Sequence, residues 1–236
     1  MPANEKREGH AVERNPKLHK EINKHFKTLV NFITRGGSET KVDYEATDSK
    51  TKKKIKFSNK FTASKSTQVL MTTQKQLSNH VPLLTKEMTK IKTWLGTIVN
   101  ESIVKTSFTE IKNWSNVDRA MNLATKDGSL LRALFTGKVK NDEVQYLTWI
   151  DKKHGGIYII DLKKYFKYIQ SNATWQSTAK RGGGSIKLID KNTNKTLVHL
   201  QRAGNGPITQ KINPLFHVHK NWPDEVVVYS NTSFTI

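Results

Sequence analysis

Cysteine is absent from all 236 residues, which excludes disulfide bridges, thiolate metal ligands and cysteine nucleophiles. Long apolar runs are also missing. No stretch approaches the roughly 18–20 residues of a membrane span. The opening Met1-Pro-Ala-Asn-Glu-Lys-Arg-Glu has no apolar core of the secretory type. These absences predict a cytoplasmic protein with no membrane partner. Acidic side chains are scarce: 20 Asp+Glu face 40 Lys+Arg, a net charge of +20. A chain this basic attracts polyanions, and nucleic acid is the partner that such a surplus fits. Two catalytic signatures are missing as well. There is no Gly-x-x-x-x-Gly-Lys phosphate loop, and no serine, histidine and acid group into a nucleophilic triad.

What is present begins with two short patterned segments. Lys41-Val-Asp-Tyr-Glu-Ala46 and Lys54-Ile-Lys-Phe-Ser-Asn-Lys60 read as paired strands. Alternation puts Val42, Tyr44 and Ala46 on one face and Asp43 and Glu45 on the other; it likewise separates Ile55 and Phe57 from Lys56, Ser58 and Lys60. With the apolar sets turned to a core, acids and a lysine converge on the polar side. Such a group can hold a divalent cation and polarise a phosphate.

Residues 1–14 are charged and patternless, which predicts a flexible arm. Asn15-Pro16 then pairs an N-cap residue with proline at the first helical position. Leu18, Ile22, Phe26, Leu29, Val30 and Ile33 carry helical spacing as far as Arg35-Gly36-Gly37, and Glu21 lies off that apolar stripe. Residues 66–75 fit a strand or a helix. Pro82 to Ile98 predicts a helix. Residues 100–136 also look helical, with breaks near Ser115-Asn116 and Asp127-Gly128. Asn141 is expected to cap a further helix carrying Val144, Leu147, Trp149 and Ile150. A short strand over 156–160 leads to Asp161, which caps a helix running to Gln170. The basic loop Lys180-Arg-Gly-Gly-Gly184 precedes strands Ser185–Asp190 and Thr196–Arg202, joined by a turn at 191–194. A last strand falls near Val226–Tyr229. No repeat or low-complexity linker divides the chain, so one domain is expected.

Three more motifs bear on chemistry. Gly156-Ile157-Tyr158 invites comparison with the nucleases named for GIY and YIG tripeptides, but Tyr168-Ile169-Gln170 lacks the second glycine. His217-Val218-His219 has the spacing of zinc ligands, yet no third ligand stands out, which favours surface or DNA-facing histidines. Gln201, Arg202, Asn205, Gln210, Lys211 and Asn213 cluster among glycines and short strands. Gln and Asn can bond adenine bidentately, and Arg or Lys can bond guanine.

The order of these pieces carries a resemblance. A capped helix, the Asp43/Lys60 hairpin, a helical middle, and a strand and helix lead to Gly182-Gly-Gly-Ser-Ile-Lys-Leu188. Leu197-Val-His-Leu-Gln-Arg-Ala-Gly204 and Gln210-Lys-Ile-Asn-Pro-Leu-Phe216 then close the series. The whole resembles the small type II restriction endonucleases of the PD-(D/E)xK superfamily. Within them it is most similar to the short-site cutters with C-terminal Gln-Arg-Lys-Gly and Gln-Phe-Lys-Ile strands. Here Ala203 stands for the lysine and Lys211 for the phenylalanine.

The resemblance implies an α/β (α+β) fold, with a mixed central sheet flanked by helices. It implies a sequence-specific double-stranded DNA endonuclease that uses Mg²⁺ and leaves 5′-phosphate ends, acting as a homodimer at least on DNA. By residue, it makes Asp43 the metal-binding acid and Lys60 the catalytic lysine. Ser58 stands in the catalytic slot that usually holds Glu or Asp. Glu45, Glu39 or Glu21 would then supply the missing charge, and the carbonyl near Asn59 would complete the metal site. Arg181, Lys187, Gln201, Arg202, Asn205, Gln210, Lys211, Asn213, His217 and His219 would contact DNA, within a recognition segment over 180–220. The competing reading is a non-catalytic, basic nucleic-acid-binding protein, and Ser58 in place of an acid is the feature that favours it.

Overall fold

A computed structural model describes residues 10–35, 41–71, 114–136, 143–177, 186–202 and 214–236, and the statements below concern these. Two helix-flanked sheets make a mixed α+β protein, one sheet in each of two compact units. The first unit spans Met1–Lys65, Phe135–Tyr165 and Trp222–Ile236; the second spans Ser66–Leu134 and Phe166–Asn221.

In the first unit, helix α1 (Pro16–Phe26) starts as expected: the Asn15 side chain accepts a hydrogen bond from the Lys17 N–H, with proline at the first turn. It ends earlier than its apolar spacing predicts. Lys27 takes a left-handed conformation (φ 64°) and its N–H closes the helix on the Asn23 carbonyl. Leu29, Val30 and Ile33 therefore belong to strand β1 (Leu29–Thr34). The aromatic and β-branched run Val30-Asn-Phe-Ile-Thr34 favours a strand over continued helix. Asn31, at φ 53°, sits where the β1–β2 register shifts.

Strands β2 (Tyr44–Asp48) and β3 (Lys54–Thr62) form the expected antiparallel pair, with Tyr44 opposite Phe57. The helix expected after Asn141 is instead strand β5 (Tyr146–Asp151), parallel to β3; Asn141 itself lies outside the described residues. Leu147, Thr148, Trp149 and Ile150 are all buried, so both faces of β5 are covered. A strand covered on both faces loses the alternation that marks strands, and a short apolar run is then readable as a helix. Strand β6 (Ile157–Asp161) returns antiparallel, and β11 (Val227–Asn231) pairs with it. The sheet order is β1-β2-β3-β5-β6-β11. Its core joins Leu18 and Ile22 of α1 to Tyr44, Phe57, Ile150, Ile157 and Ile159.

The expected arm at 1–14 is revised where it is described. Residues 10–13 are helical, and Val12 and Glu13 are buried, 4 % and 5 % exposed. The GIY tripeptide has a packing role. Gly156 (φ 106°) makes the β5–β6 turn with its N–H bonded to the Phe234 carbonyl, and the Tyr158 ring tilts against Trp222.

In the second unit, residues 66–71 are strand β4 (Ser66–Met71) rather than helix. Helix α2 (Trp114–Lys126) runs through Ser115-Asn116, and the expected break at Asp127-Gly128 is real, with Gly128 at φ 80°. Helix α3 (Leu162–Asn172) starts in the first unit, where Asp161 accepts from the Lys164 N–H, and continues into the second from Phe166. Strands β7 (Ala173–Ser177), β8 (Ile186–Asp190), β9 (Thr196–Arg202) and β10 (Pro214–His219) complete an antiparallel sheet in the order β4-β10-β9-β8-β7. One face packs on α2. Trp175 Nε1 donates to Thr125 Oγ1, and the Asn122 amide oxygen accepts the Trp175 N–H. The β8–β9 turn closes on Asp190, whose carboxylate accepts from Tyr168, Thr193 and the Asn192 N–H. The helix expected over Pro82–Ile98 lies outside the described residues.

Candidate functional site

Asp43 sits just before β2. Its N–H bonds the Phe57 carbonyl and its own carbonyl receives the Arg35 N–H, so the backbone is held on both sides. This aligns Asp43 with Ser58 on β3. Asp43 Oδ2 accepts a hydrogen bond from Ser58 Oγ at 3.0 Å and another from the Asn59 N–H. Lys60 lies two residues beyond Ser58 and therefore on the same side of β3. The sequence alternation thus brings Asp43, Ser58 and Lys60 to one side of the pair. The opposite side is the aromatic core: Tyr44 stacks on Phe57 at 4.9 Å, and the Tyr44 and Thr148 hydroxyls are 2.9 Å apart. The Asn59 side chain turns inward, its amide oxygen 3.2 Å from Thr148 Oγ1, so only its main chain is offered to the Asp43 side.

Of the expected extra carboxylates, Glu45 and Glu21 are each committed to other partners. Glu45 is buried, and its Oε1 accepts from both Arg35 Nη2 and Lys54 Nζ at 2.8 Å. Burial alone would raise its pKa; the two cations outweigh that and hold it below the usual carboxylate value. Glu21 accepts from Tyr229 Oη and Asn231 Nδ2 and pairs with Lys24 at 2.8 Å. Strand β11, which anchors it, lies four strands from β2, roughly 19 Å at about 4.8 Å per strand. Lys17, Lys20, Ser233 and Thr235 line an open cavity of about 310 Å³ around Glu21. Glu39 lies outside the described residues.

Glu13 is the carboxylate that sequence reading missed. It is buried, and its pKa is pushed up to about 7: first by burial, then by the Asp43 charge, while His10 and Lys60 pull the other way. Glu13 therefore shares the electrostatic environment of Asp43 and Lys60. It is fixed by local chemistry. His10 Nδ1 is 3.1 Å from its Oε2, and His19 Nε2–H donates to its carbonyl at 2.8 Å. The His19 ring in turn stacks on Phe32 at 4.2 Å. The one signal in the sequence was Ala11-Val12, an apolar pair in an otherwise polar opening.

The oxygen donors of Glu13, Asp43 and the Asn59 main chain suit a hard cation. Mg²⁺ is commonly held by one or two carboxylates, with waters and substrate phosphate filling the rest. A carboxyl held near pH 7 beside a second carboxylate is the electrostatic mark of a site that lacks positive charge. Among the described residues, no three His, Asp, Glu or Cys side chains are grouped to hold a metal by themselves.

The expected DNA-contacting residues belong to the second unit. Gln201 and Arg202 are on β9, with their backbones opposite Leu215 and Pro214. Lys187 is on β8, and His217 and His219 are on β10. Arg181, Asn205, Gln210, Lys211 and Asn213 lie outside the described residues. The two histidines gain a neighbour the sequence concealed: His199 of β9 pairs with His217 across the sheet, and its Nδ1 is 2.6 Å from His219 Nε2.

Among the described residues, no helix is long and apolar enough to cross a membrane. No protein-family profile matches the chain, and no curated protein matches it. Among solved structures, the chain is similar to the restriction endonuclease MspI in complex with its cognate DNA. The TM-score is 0.48 at 10 % identity, covering 85 % of this chain and 77 % of that one.

Proposed function

We propose that the protein is a Mg²⁺-dependent, site-specific endonuclease of double-stranded DNA, of the PD-(D/E)xK type, acting as a homodimer on its site. The observation that carries this reading is Asp43, held by Ser58 and the Asn59 N–H, with Glu13 and Lys60 acting on the same electrostatic neighbourhood. Glu13, Asp43 and the Asn59 carbonyl would hold the cation, which supplies Lewis-acid stabilisation of charge on the scissile phosphate. Lys60 orients the attacking water and stabilises negative charge that builds on phosphorus-bound oxygen. Water adds to phosphorus and the bond to the 3′ oxygen breaks, leaving a 5′-phosphate and a 3′-hydroxyl. Ser58 contributes position rather than charge, because its hydroxyl fixes the Asp43 carboxylate. The net charge of +20 supports phosphate contacts along the duplex.

Plasmid DNA with Mg²⁺ tests the reading: discrete fragments are expected. Asp43→Ala and Lys60→Ala should lose cutting and keep DNA binding. Wild-type cutting rates in both variants would place the chemistry elsewhere. Ser58 in an acid's slot favours a second reading, a non-catalytic nucleic-acid-binding protein, which predicts salt-sensitive binding and no cleavage with any divalent metal.

A further inference from the structure

The β4-β10-β9-β8-β7 sheet displays one polar row across all five strands. Register pairs Gln176 with Lys187, Lys187 with His199, His199 with His217, and His217 with Gln68. Directly paired residues share a sheet face, so these five side chains stand on the same side. The next row, Trp175-Leu188-Val198-Val218, alternates to the other side, where Trp175 meets α2. His219 joins the polar row through its contact with His199, and the His199 and His217 rings stack at 4.9 Å.

Charge is one-sided here. The five strands contain a single acidic residue, Asp190, and its carboxylate is buried in the Tyr168–Asn192–Thr193 network. The row, exposed at Gln176 and half-buried elsewhere, therefore offers amides, imidazoles and one ammonium, and these five strands add no other carboxylate to oppose an anion. Four strand spacings make it roughly 19 Å long. That matches about five to six phosphates along one strand of a duplex, at ~3.4 Å of axis each.

We propose that this row lies against the phosphate backbone of duplex DNA, with Lys187 pairing a phosphate and the His199–His217–His219 cluster taking up a proton on binding. The proposal rests on the DNA reading above only for the identity of the polyanion. The groups facing the cluster are Lys187 from β8, His199 from β9, His217 from β10, and the uncharged Gln68 and Ser66 from β4. Burial lowers the pKa of His217 and takes His219 down to about 4, with the neighbouring histidines and Lys187 adding to the effect. His217 and His219 are thus held toward the neutral form before DNA arrives. A phosphate brought alongside favours the protonated form, so binding draws protons as pH falls toward the imidazole range.

Affinity for a fluorescein-labelled duplex is measured by anisotropy in EDTA, where no cleavage occurs. It is read at about pH 7.5 and about pH 5 and over a salt series. Wild type is expected to tighten several-fold on acidification. The triple variant His199→Gln/His217→Gln/His219→Gln should lose most of that gain on acidification. Lys187→Gln should weaken binding and lower the salt slope by about one. Either variant behaving as wild type overturns the proposal; should the triple variant fail to fold, Lys187→Gln decides alone. Cleavage of plasmid with Mg²⁺ is scored separately. Binding without cleavage counts against the nuclease and leaves this surface standing, whereas cleavage with an inert row does the reverse.

Discussion

Ser58 Oγ donates a hydrogen bond to Asp43 Oδ2 at 3.0 Å, across the β2–β3 pair. A serine in that slot cannot add negative charge, but it can fix the rotamer of the acid that does. Ser58→Ala should therefore slow cleavage by about tenfold, equivalent to about 1.4 kcal/mol, typical of a hydrogen bond to a charged group. Asp43→Ala should slow it by roughly a thousandfold or more, because it removes the acid proposed to hold the cation. Single-turnover cleavage of a duplex substrate checks the order; an equal loss in both variants would assign Ser58 a larger role than positioning.

Glu13 ties the site to pH. Its pKa of about 7 lies above the ordinary value of 4.5, so between these limits the folded state binds more protons than the unfolded one. The stability contributed by protonated Glu13 is present at low pH and is lost as pH rises toward 7. Glu13→Gln should remove this dependence and flatten the thermal midpoint between about pH 5 and pH 7.5 relative to wild type. The same variant should raise the Mg²⁺ concentration needed for half-maximal cleavage, a readout that a purely structural role would not move.

Glu21 provides the contrast. It is anchored by Lys24, Tyr229 and Asn231 at the β11 side of the sheet. Burial raises its pKa, but these three partners prevail and leave it below the ordinary value. Its stabilisation is present above that ordinary value and fades as pH falls through the depressed one. Glu21→Gln should lower stability at neutral pH while leaving cleavage within about twofold, because its carboxylate is committed to Lys24, Tyr229 and Asn231. A large loss of cleavage in a folded Glu21→Gln protein would contradict that placement.

Behind the site, the buried Tyr44 and Thr148 hydroxyls bond each other at 2.9 Å. Removing the Thr148 hydroxyl takes this partner from the Tyr44 hydroxyl, whereas removing the Tyr44 hydroxyl leaves Thr148 Oγ1 its contacts with the Ser58 carbonyl and the Asn59 amide oxygen. Tyr44→Phe or Thr148→Val alone should cost about 1–3 kcal/mol, and the double variant less than the sum. Urea denaturation of the three variants gives the coupling.

The Asp43, Ser58 and Lys60 arrangement was legible because it depends on period-two alternation along two neighbouring strands. The caps at Asn15 and Asp161 and the turn before β9 were legible for the same local reason. The end of α1 was not, because apolar residues keep helical spacing past Phe26 and only the left-handed Lys27 stops the helix. Strand β5 was misread because both of its faces are covered. Its partner β3 lies far upstream, with Ser58 opposite Leu147, 89 residues away, a separation local patterning does not encode.

The sequence by itself determined the chain's polyanion-seeking charge, the absence of thiol chemistry, and the acid–serine–lysine side of the hairpin. Composition and adjacent-strand alternation specify each of these without long-range contacts. Tertiary structure alone decided which charges surround each carboxylate. It buried Glu13 within reach of the Asp43 and Lys60 charges, paired Glu45 with Arg35 and Lys54 and Glu21 with Lys24, and set His199 against His217 and His219. The reason is physical: a carboxylate's role depends on its desolvation and on the charges around it, and those come from segments that only folding brings together.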